Sequence, residues 1–270
     1  MARQRDEALR CDWLESADVA RRFPGAAPCR GALFAPDDGA VDPPALTRAL
    51  LADATRQGAA LVRQPVSSIM REGDRISGVD TPDGPIPAPQ VVIAAGAWSG
   101  RIAGLPRPLP VEPVRGQLVA VPWPAATPRA ILYGHQSYVL ARGREAVLGS
   151  TMESVGFDPR VTELGVTTIR DGARRLIPAL GPPSATPARA WAGLRPVTPD
   201  GHPIIGPDPE IRGLWYATGH GRNGILLAAL TGEIIGMLLA GEAPAIDLAP
   251  FSASRFRSSV VSRQKPLTED

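Results

Sequence analysis

The strongest hydrophobic pattern lies near the end of the chain, where an apolar strand, a glycine cluster and an almost wholly apolar helix follow one another. The run Leu214–Ala217 predicts the strand, and the run from Ile225 to a stop at Gly241 predicts the helix. The segment between them, Gly219–Gly224, reads GHGRNG. Glycine turns let the backbone approach a ligand, and the first turn of a helix offers unpaired N–H groups with partial positive charge. The stretch therefore favours a site for electron-rich oxygen atoms.

Two other interpretations of this stretch stay open. One is a buried core helix with an ordinary glycine entry. The other is a dinucleotide-binding turn, because GHGRNG matches G-x-G-x-x-G; that motif requires a second parallel strand after the helix, and the residues after Gly241 contain Pro244 and few β-branched side chains. A membrane span is not favoured, since the apolar run contains Glu233 and falls short of the ~20 residues required.

Earlier in the chain, periodicity predicts a helix, a strand, a β-meander and a buried strand. Asp42 caps the helix, which stops at Gly58, and Ala59–Val66 predicts the strand. The meander is predicted from three further pieces, which are Ser68–Arg71, Arg75–Val79 and the segment after the Pro82-Asp83-Gly84 turn. The apolar run Gln90–Gly96 predicts a strand buried on both faces, and Gly96 permits a tight turn at its carboxyl end, where ligands bind in open α/β sheets.

The middle of the chain predicts a separate antiparallel block. It begins after a proline-rich crossing, Pro106–Pro113, and ends with a return segment, Ala190–Pro196. Between the two, the pattern predicts antiparallel strands and then one helix, at Gln117–Val121, Ser137–Arg142, Ala146–Thr151 and Thr162–Ile177.

Composition narrows the class of protein. The 270 residues are 44% hydrophobic and 21% charged, which is typical of a globular protein with a substantial core. The net charge of +2 comes from both signs mixed along the chain, so no basic face for nucleic acid is expected. Cys11 and Cys29 have no metal-ligand spacing, and the first ten residues contain no apolar signal-peptide core. We therefore expect a cytoplasmic protein without a structural metal, and the oligomeric state stays open, with a homo-oligomer included.

Four phrases in this order resemble one family. They are Val91–Ser99 (VVIAAGAWS), Pro113–Gln117 (PVRGQ), Trp191–Gly201 (WAGLRPVTPDG) and Gly219–Leu226 (GHGRNGIL). The chain resembles the D-amino-acid oxidase superfamily of flavoproteins, and within it the glycine oxidases of thiamine biosynthesis, from about Leu14 to Phe256. The resemblance implies an α/β fold with a glutathione-reductase-like FAD-binding lobe, incomplete at its N-terminus, and an antiparallel-sheet substrate lobe.

The resemblance also implies how the chain is divided. Residues 1–105 are expected to form part of the FAD-binding lobe with the meander, and residues 106–195 the substrate lobe. Residues 196–257 return to the FAD-binding lobe, and residues 258–270 form a tail. Family members begin with a βαβ unit whose G-x-G-x-x-G turn holds the FAD pyrophosphate, and this chain contains no match to that unit.

Carried over position by position, the resemblance assigns the substrate side to Arg195, Arg222, Tyr138 and Met152. Arg195 matches the arginine that clamps the substrate carboxylate, and a planar guanidinium suits that role because it makes two parallel charge-assisted hydrogen bonds. Without the family, a lone arginine is more often part of an ion pair, Tyr138 an ordinary strand residue and Met152 a packing residue.

The resemblance assigns the cofactor side to the two glycine turns and to one upstream residue. Val66 matches a strand residue whose backbone meets the adenine, and Gly96 follows the buried strand. The remaining positions match the segment whose amides face the flavin, namely His220, Gly221, Arg222, Asn223, Gly224, Ile225 and Leu226.

The implied activity is FAD-dependent oxidation of glycine or a related small amino acid or amine, with dioxygen as the electron acceptor. The products would be an oxo acid, ammonia and hydrogen peroxide, and the cofactor would carry the chemistry without a protein nucleophile. The alternative is a non-catalytic fragment, or a partner subunit of an oxidase of this type that cannot hold FAD alone. A nicotinamide dehydrogenase that uses Gly219–Gly224 as its phosphate turn ranks last.

Overall fold

The computed structural model of the protein describes residues 9–125, 127–134, 137–180, 187 and 189–256. The predicted tail at 258–270 lies outside these residues. The helices are α1 (Ser16–Arg22), α2 (Pro43–Arg56), α3 (Glu163–Arg174) and α4 (Ala228–Leu239). The strands are β1 (Asp12–Glu15), β2 (Gly31–Phe34), β3 (Ser68–Glu72), β4 (Arg75–Thr81), β5 (Gly84–Pro87), β6 (Val91–Ile93), β7 (Glu112–Pro122), β8 (Ile131–Gly134), β9 (Ser137–Arg142), β10 (Glu145–Gly149), β11 (Arg189–Val197), β12 (Ile204–Pro207) and β13 (Leu214–Thr218).

The chain divides into two compact units, each built from two separate stretches of sequence. Unit 1 comprises residues 1–58 and 115–193, and unit 2 comprises residues 59–114 and 194–270. Residues 1–58 thus group with the antiparallel block, which differs from the expected lobe of residues 1–105. The other changes of unit fall close to the proline-rich crossing and to the return segment.

Unit 1 is organised by a five-stranded sheet with the order β11-β7-β10-β9-β8. The pairs β7–β10, β9–β10 and β8–β9 are all antiparallel. Helix α3 packs on this sheet, because Ile169 and Ala173 share a buried cluster with Val139 and Leu148. Thr162 caps the helix by accepting a hydrogen bond from the N–H of Gly165 at 3.1 Å. The predicted antiparallel block and its helix are confirmed.

Unit 2 contains two three-stranded sheets, with the orders β3-β4-β5 and β12-β13-β6. The first sheet is the predicted meander. In the second, β13 runs antiparallel to β12 and parallel to β6. One core buries residues such as Ile93 and Tyr216, and a second core joins Ile205 to Ile234 and Ile235 of helix α4. The parallel pair β6–β13 therefore lies between two hydrophobic cores.

A buried carboxylate fixes the connection between β12 and β13. Asp208 accepts hydrogen bonds from the backbone N–H groups of Glu210 at 2.7 Å and Ile211 at 2.8 Å, and from the hydroxyl of Tyr216 at 2.8 Å. It also forms an ion pair with Arg107. Burial, followed by the nearby Asp208 carboxylate, raises the pKa of Tyr216 well above its usual range, so the phenol stays protonated as a donor.

Two predicted elements differ from the structure. Residues 59–66 form no strand, so the prediction there is wrong, and Val66 lies in an exposed irregular segment. The predicted helix from Ile225 begins at Ala228, because Gly221–Asn223 form a 3-10 turn and residues 224–227 continue as a turn. Within the described ranges, none of the helices has the length and apolarity needed to cross a membrane.

Candidate active site in unit 2

The two predicted glycine turns lie at the same edge of one sheet. Because β6 and β13 are parallel, their carboxyl ends meet at this edge. Gly96 follows β6 and opens a 3-10 helix, Gly96–Arg101, with a φ of +54°. Gly219 follows β13 with a φ of +79°. Both positions favour glycine, since φ is positive at each.

A buried hydroxyl pair joins the two turns. Thr218, at the end of β13, donates a hydrogen bond to the carbonyl oxygen of Gly96 at 3.2 Å. Its single hydroxyl proton is then used, so at the 2.7 Å contact with Ser99 the hydroxyl of Ser99 donates to Thr218. Thr218 is 1% exposed and Ser99 is fully buried. Sequence reasoning assigned no role to either residue, although Ser99 ends the phrase Val91–Ser99 and Thr218 directly precedes Gly219.

The glycines of the two turns differ in what surrounds them. A Cβ on Gly219 would lie 2.7 Å from Cγ2 of Thr198, so this glycine allows close packing. A Cβ on Gly96 would meet no atom within 4 Å, and one on Gly221 would meet only Cγ2 of Val197 at 4.0 Å. The backbone at Gly96 and Gly221 is therefore open to an approaching ligand atom, which is the property that a cofactor-binding turn needs.

His220 is held as a neutral side chain within the second turn. Its ring Nε2 lies 3.0 Å from the hydroxyl of Thr231 on α4. Burial lowers the pKa of His220 below its usual value, so the imidazole is uncharged at neutral pH. A backbone bridge also connects His220 to Val197, at the end of β11. The turn is thus anchored on two sides.

The same bridge attaches the strand that carries Arg195 to the glycine turn. Arg195 lies two residues before Val197 on β11, and its side chain is partly buried. Residues i and i+2 of a strand point to the same side, so Arg195 and Val197 share one face of β11. Arg222 and Asn223 lie in the 3-10 turn and are exposed, as are Ile225 at 44% and Leu226 at 80%.

The loop that follows the strand of Arg195 is held in place by hydrogen bonds from Arg255. Arg255 donates to the carboxylate of Asp200 at 2.7 Å and to the carbonyl oxygen of His202 at 2.7 Å. Thr198 donates to the same carbonyl oxygen at 2.7 Å. Burial raises the pKa of Asp200, but hydrogen bonds from Arg255 and from the N–H of His202 lower it by more, so Asp200 stays ionised.

Tyr138 and Met152 belong to unit 1. Tyr138 lies on β9 opposite Gly149 of β10. Its ring covers that glycine, because a Cβ on Gly149 would lie 2.4 Å from the tyrosine hydroxyl oxygen. Met152 is 52% exposed in the loop that leads to α3.

The loop that carries Met152 is held by a charged network. Arg115 contacts the carboxylates of Glu153 at 2.5 Å and Asp158 at 3.1 Å. The side-chain amide of Gln117 donates to Glu153 at 2.7 Å and to the hydroxyl of Thr162 at 3.0 Å. Hydrogen bonds from Arg160 hold the pKa of Asp158 well below its usual range. This network fixes both ends of the segment between β10 and α3.

Comparison with known proteins identifies the class of protein. A family model described as "DAO: FAD dependent oxidoreductase" matches residues 1–238. The chain therefore belongs to this family of FAD-dependent oxidoreductases, whose cofactor is FAD. The open backbone at Gly96 and Gly221 fits such a group, because neither position places a side chain between the turn and a ligand.

The relatives include a glycine oxidase and a hydrogen cyanide synthase subunit. The chain is 40% identical over 185 residues to the glycine oxidase of Pseudomonas aeruginosa, covering 68% of this chain and 50% of that protein. It is 36% identical over 251 residues to the hydrogen cyanide synthase subunit HcnC of the same species, covering 91% of this chain and 60% of that protein.

Among solved structures, the glycine oxidase of Geobacillus kaustophilus superimposes with a TM-score of 0.87 at 35% identity, covering 93% of this chain and 69% of that chain. The expected mixed α/β fold is confirmed by this match. The chain spans 50% to 65% of the length of the first glycine oxidases that it matches in sequence.

Proposed function

We propose that this chain forms the substrate-binding and flavin-facing part of a glycine oxidase-type enzyme. The observation that carries the proposal is the pairing of the open turns at Gly96 and Gly221 at the carboxyl edge of β6 and β13, joined by Thr218. The reaction would convert glycine or a related small amino acid or amine, with dioxygen and water, into an oxo acid, ammonia and hydrogen peroxide. FAD, when bound, would accept two electrons from the substrate α-carbon and pass them to dioxygen.

In this proposal the residues of the chain bind and orient. The backbone at Gly96 and along His220–Leu226 would face the cofactor, and Val66 would meet its adenine. Arg195 would hold the substrate carboxylate by two parallel hydrogen bonds, which fixes the α-carbon in place. Arg222, Tyr138 and Met152 would be further substrate-binding residues. His220, being neutral, adds no positive charge of its own beside the turn.

The test begins with the spectrum of the purified chain after it is incubated with FAD and desalted. A retained flavin band that bleaches when glycine is added without oxygen supports the proposal. In the same assay, Arg195→Ala should retain the flavin band but should need at least about 100-fold more glycine to bleach it. Removing one partner of a buried charge pair costs about 3 kcal/mol or more, which corresponds to this change in affinity.

Arg195→Lys is the matched variant, since it keeps the charge but not the bidentate geometry. It should restore only part of the glycine response. Bleaching that Arg195→Ala leaves undiminished would contradict the assignment of Arg195. A colourless protein would mean that this chain does not hold FAD by itself, and activity would then require a further polypeptide segment.

A further inference from the structure

The end of β11 and the loop that follows it lie beside the second glycine turn. Thr198 is 2% exposed, and its Cγ2 would lie 2.7 Å from a Cβ on Gly219. Val197, the last residue of β11, forms a backbone bridge with His220, and its Cγ2 is the nearest atom to an added Cβ on Gly221. Residues 197 and 198 therefore form one side of the turn at three successive positions.

The loop is closed by hydrogen bonds to one carbonyl oxygen. The carbonyl oxygen of His202 accepts from the hydroxyl of Thr198 at 2.7 Å and from the guanidinium of Arg255 at 2.7 Å. A carbonyl oxygen has two lone pairs, so both donors can bind it together. The N–H of Gly201 also donates to the carbonyl oxygen of Thr198 at 3.1 Å. The position of Thr198 is thus linked to Arg255 through a single atom.

Arg255 uses all three nitrogens of its guanidinium. Its Nε and Nη2 donate to the two carboxylate oxygens of Asp200 at 2.7 Å and 3.2 Å. Its Nη1 donates to the carbonyl oxygen of Ser252 at 3.1 Å. The side chain of Arg255 is 15% exposed and that of Asp200 is 37% exposed. Two parallel charge-assisted hydrogen bonds fix the orientation of a pair as well as its distance, so the loop is held in one arrangement.

The core of unit 2 fixes Arg255 in turn. Arg255 lies in a 3-10 helix, Ala253–Phe256. Ala253 is 2% exposed in the core cluster that also buries Tyr216 of β13, and Phe256 packs against that cluster. The guanidinium carbon of Arg255 lies 4.2 Å from the ring centroid of Phe256. Arg255 therefore connects the loop after β11 to the core that supports β13.

We propose that Arg255 and Asp200 are positioning residues, whose ion pair holds the end of β11, with Arg195, in a fixed place relative to the turn Gly219–Gly224. This inference rests on the proposed function, in which Arg195 holds the substrate carboxylate and the turn faces the cofactor. The pair acts through the loop and not by contact with either ligand. A misplacement of about 1 Å can lower a rate about 100-fold, so the pair affects the rate of oxidation more than the binding of substrate.

Amide hydrogen exchange in the chain without FAD tests the ion pair. Arg255→Met keeps most of the aliphatic side chain but donates no hydrogen bond. The N–H groups of Gly201, in the loop, and of Asn223, in the turn, are both hydrogen-bonded in the structure. We expect exchange at both to accelerate by at least about tenfold in Arg255→Met, because the loop and the turn open more often.

Two controls separate this effect from a general loss of stability. The N–H of Ile69 is hydrogen-bonded beside the meander at 3.0 Å, and its exchange should change by less than about twofold in Arg255→Met. Arg212→Met removes an ion pair with Asp74 near the opposite end of β13, where the two side chains are 64% and 63% exposed. This variant should leave exchange in the loop and the turn unchanged, since an exposed pair contributes little.

Further variants test whether Arg255 and Asp200 act as a pair. Asp200→Asn keeps the shape of the side chain and an acceptor for the N–H of His202, and it should accelerate the same two amides. The double variant should exchange at most about twofold faster than Arg255→Met, because both substitutions remove one interaction. Arg255→Lys keeps the charge without the bidentate geometry and should restore protection in part. If Arg255→Met does not fold, Asp200→Asn and Arg255→Lys decide by the same amides.

The response to glycine tests the consequence for the reaction. In the chain loaded with FAD, Arg255→Met should lower the limiting rate of bleaching by about tenfold, because Arg195 is less well aligned with the turn. The glycine concentration that gives half of this rate should change by less than about threefold, because Arg195 is still present. A variant that needs more glycine but bleaches at the unchanged limiting rate would contradict the positioning role.

Three results of the exchange measurement would overturn the proposal. They are unchanged exchange at Gly201 and Asn223 in Arg255→Met, equal acceleration at Ile69, and additive effects of the two substitutions in the double variant. The exchange measurement needs neither FAD nor glycine. An unsubstituted chain that does not respond to glycine would therefore contradict the proposed reaction, while the exchange rates would still decide whether the ion pair holds the loop against the turn.

Discussion

At the scale of single residues, the site depends on groups that support the glycine turns. Thr218 connects the carbonyl of Gly96 to the end of β13, and Ser99 completes that contact from the 3-10 helix. Both hydroxyls are buried, so each needs its partner to avoid the cost of an unsatisfied polar group. The positions of the two turns are therefore coupled through one hydrogen-bonded pair.

Gly219→Ala should destabilise the protein by about 2–5 kcal/mol. The backbone there has a φ of +79°, and the added Cβ would lie 2.7 Å from Thr198. The positive φ costs about 1–2 kcal/mol and overpacking about 1–3 kcal/mol. Urea unfolding followed by circular dichroism measures the loss.

Gly221→Ala is the matched control for that substitution. Its φ is also positive, at +56°, but the nearest atom to an added Cβ is 4.0 Å away. It should lose only the backbone contribution, about 1–2 kcal/mol. Equal losses at the two positions would mean that contact with Thr198 does not restrict Gly219.

At the scale of elements, the network around Arg115 joins β7 to the loop before α3. Arg115 is 4% exposed, and Gln117, two residues further along the strand, is fully buried. Together they contact Glu153, Asp158 and the helix cap Thr162. The segment that carries Met152 is thus attached to the sheet by side chains as well as by the backbone bridge between Arg115 and Glu153.

The contribution of Glu153 to stability should be lost in acid. Burial raises the pKa of Glu153, but hydrogen bonds from Arg115, Thr151 and Gln117 lower it by more, so the folded-state pKa lies below the ordinary value of about 4.3. A lowered pKa stabilises the fold fully above the ordinary value, and this contribution disappears as the pH falls through the folded-state pKa.

Glu153→Gln tests this expectation. The variant should be less stable than the natural sequence by about 2 kcal/mol at pH 7, and the difference should narrow between pH 5 and pH 2. Glu72→Gln, at an exposed position on β3, controls for the loss of one negative charge. Urea titrations across this pH range provide the measurement, and a pH-independent difference would contradict the role of the ionised carboxylate.

The sequence predicted those elements whose pattern is complete within a short stretch. The meander and the antiparallel block were recovered because alternation and turn residues such as Glu72-Gly73-Asp74 are local signals. The strand at residues 59–66 was predicted wrongly because a strand also needs a neighbour, and periodicity does not report one. The start of α4 was placed at Ile225 because an apolar run looks the same in a turn as in a helix.

The site was predictable to a similar extent. Glycine phrases indicated the turns at Gly96 and Gly219, since backbone positions with a positive φ favour glycine and glycine is visible in the sequence. The Thr218–Ser99 contact has no such signal in the sequence, because its two residues lie 119 positions apart and become neighbours only when β6 and β13 pair. The same holds for Glu153 and Arg115. The roles of Arg195, Arg222, Tyr138 and Met152 stay predictions.

At the scale of the whole molecule, each unit buries its own core. Leu148 is 1% exposed in the cluster of unit 1, and Ile204 is fully buried in a cluster of unit 2. Leu148→Ala and Ile204→Ala should each cost about 2–5 kcal/mol, because both create a cavity. Native-state hydrogen exchange should accelerate within residues 115–180 for the first variant and within residues 59–114 and 194–256 for the second.

Each variant serves as the control for the other, since the two remove similar side chains from different cores. Acceleration across all described residues in both variants would mean that the two units unfold as one cooperative body. Units 1 and 2 would then be groups of residues in close contact, but neither unit would unfold independently of the other.

The buried contact between Ser99 and Thr218 sets a condition on synthesis. Its two residues lie 119 positions apart, on the two separate stretches of sequence that make up unit 2. During translation, the turn at Gly96 therefore stays without its buried partner until the chain has been made at least as far as Thr218.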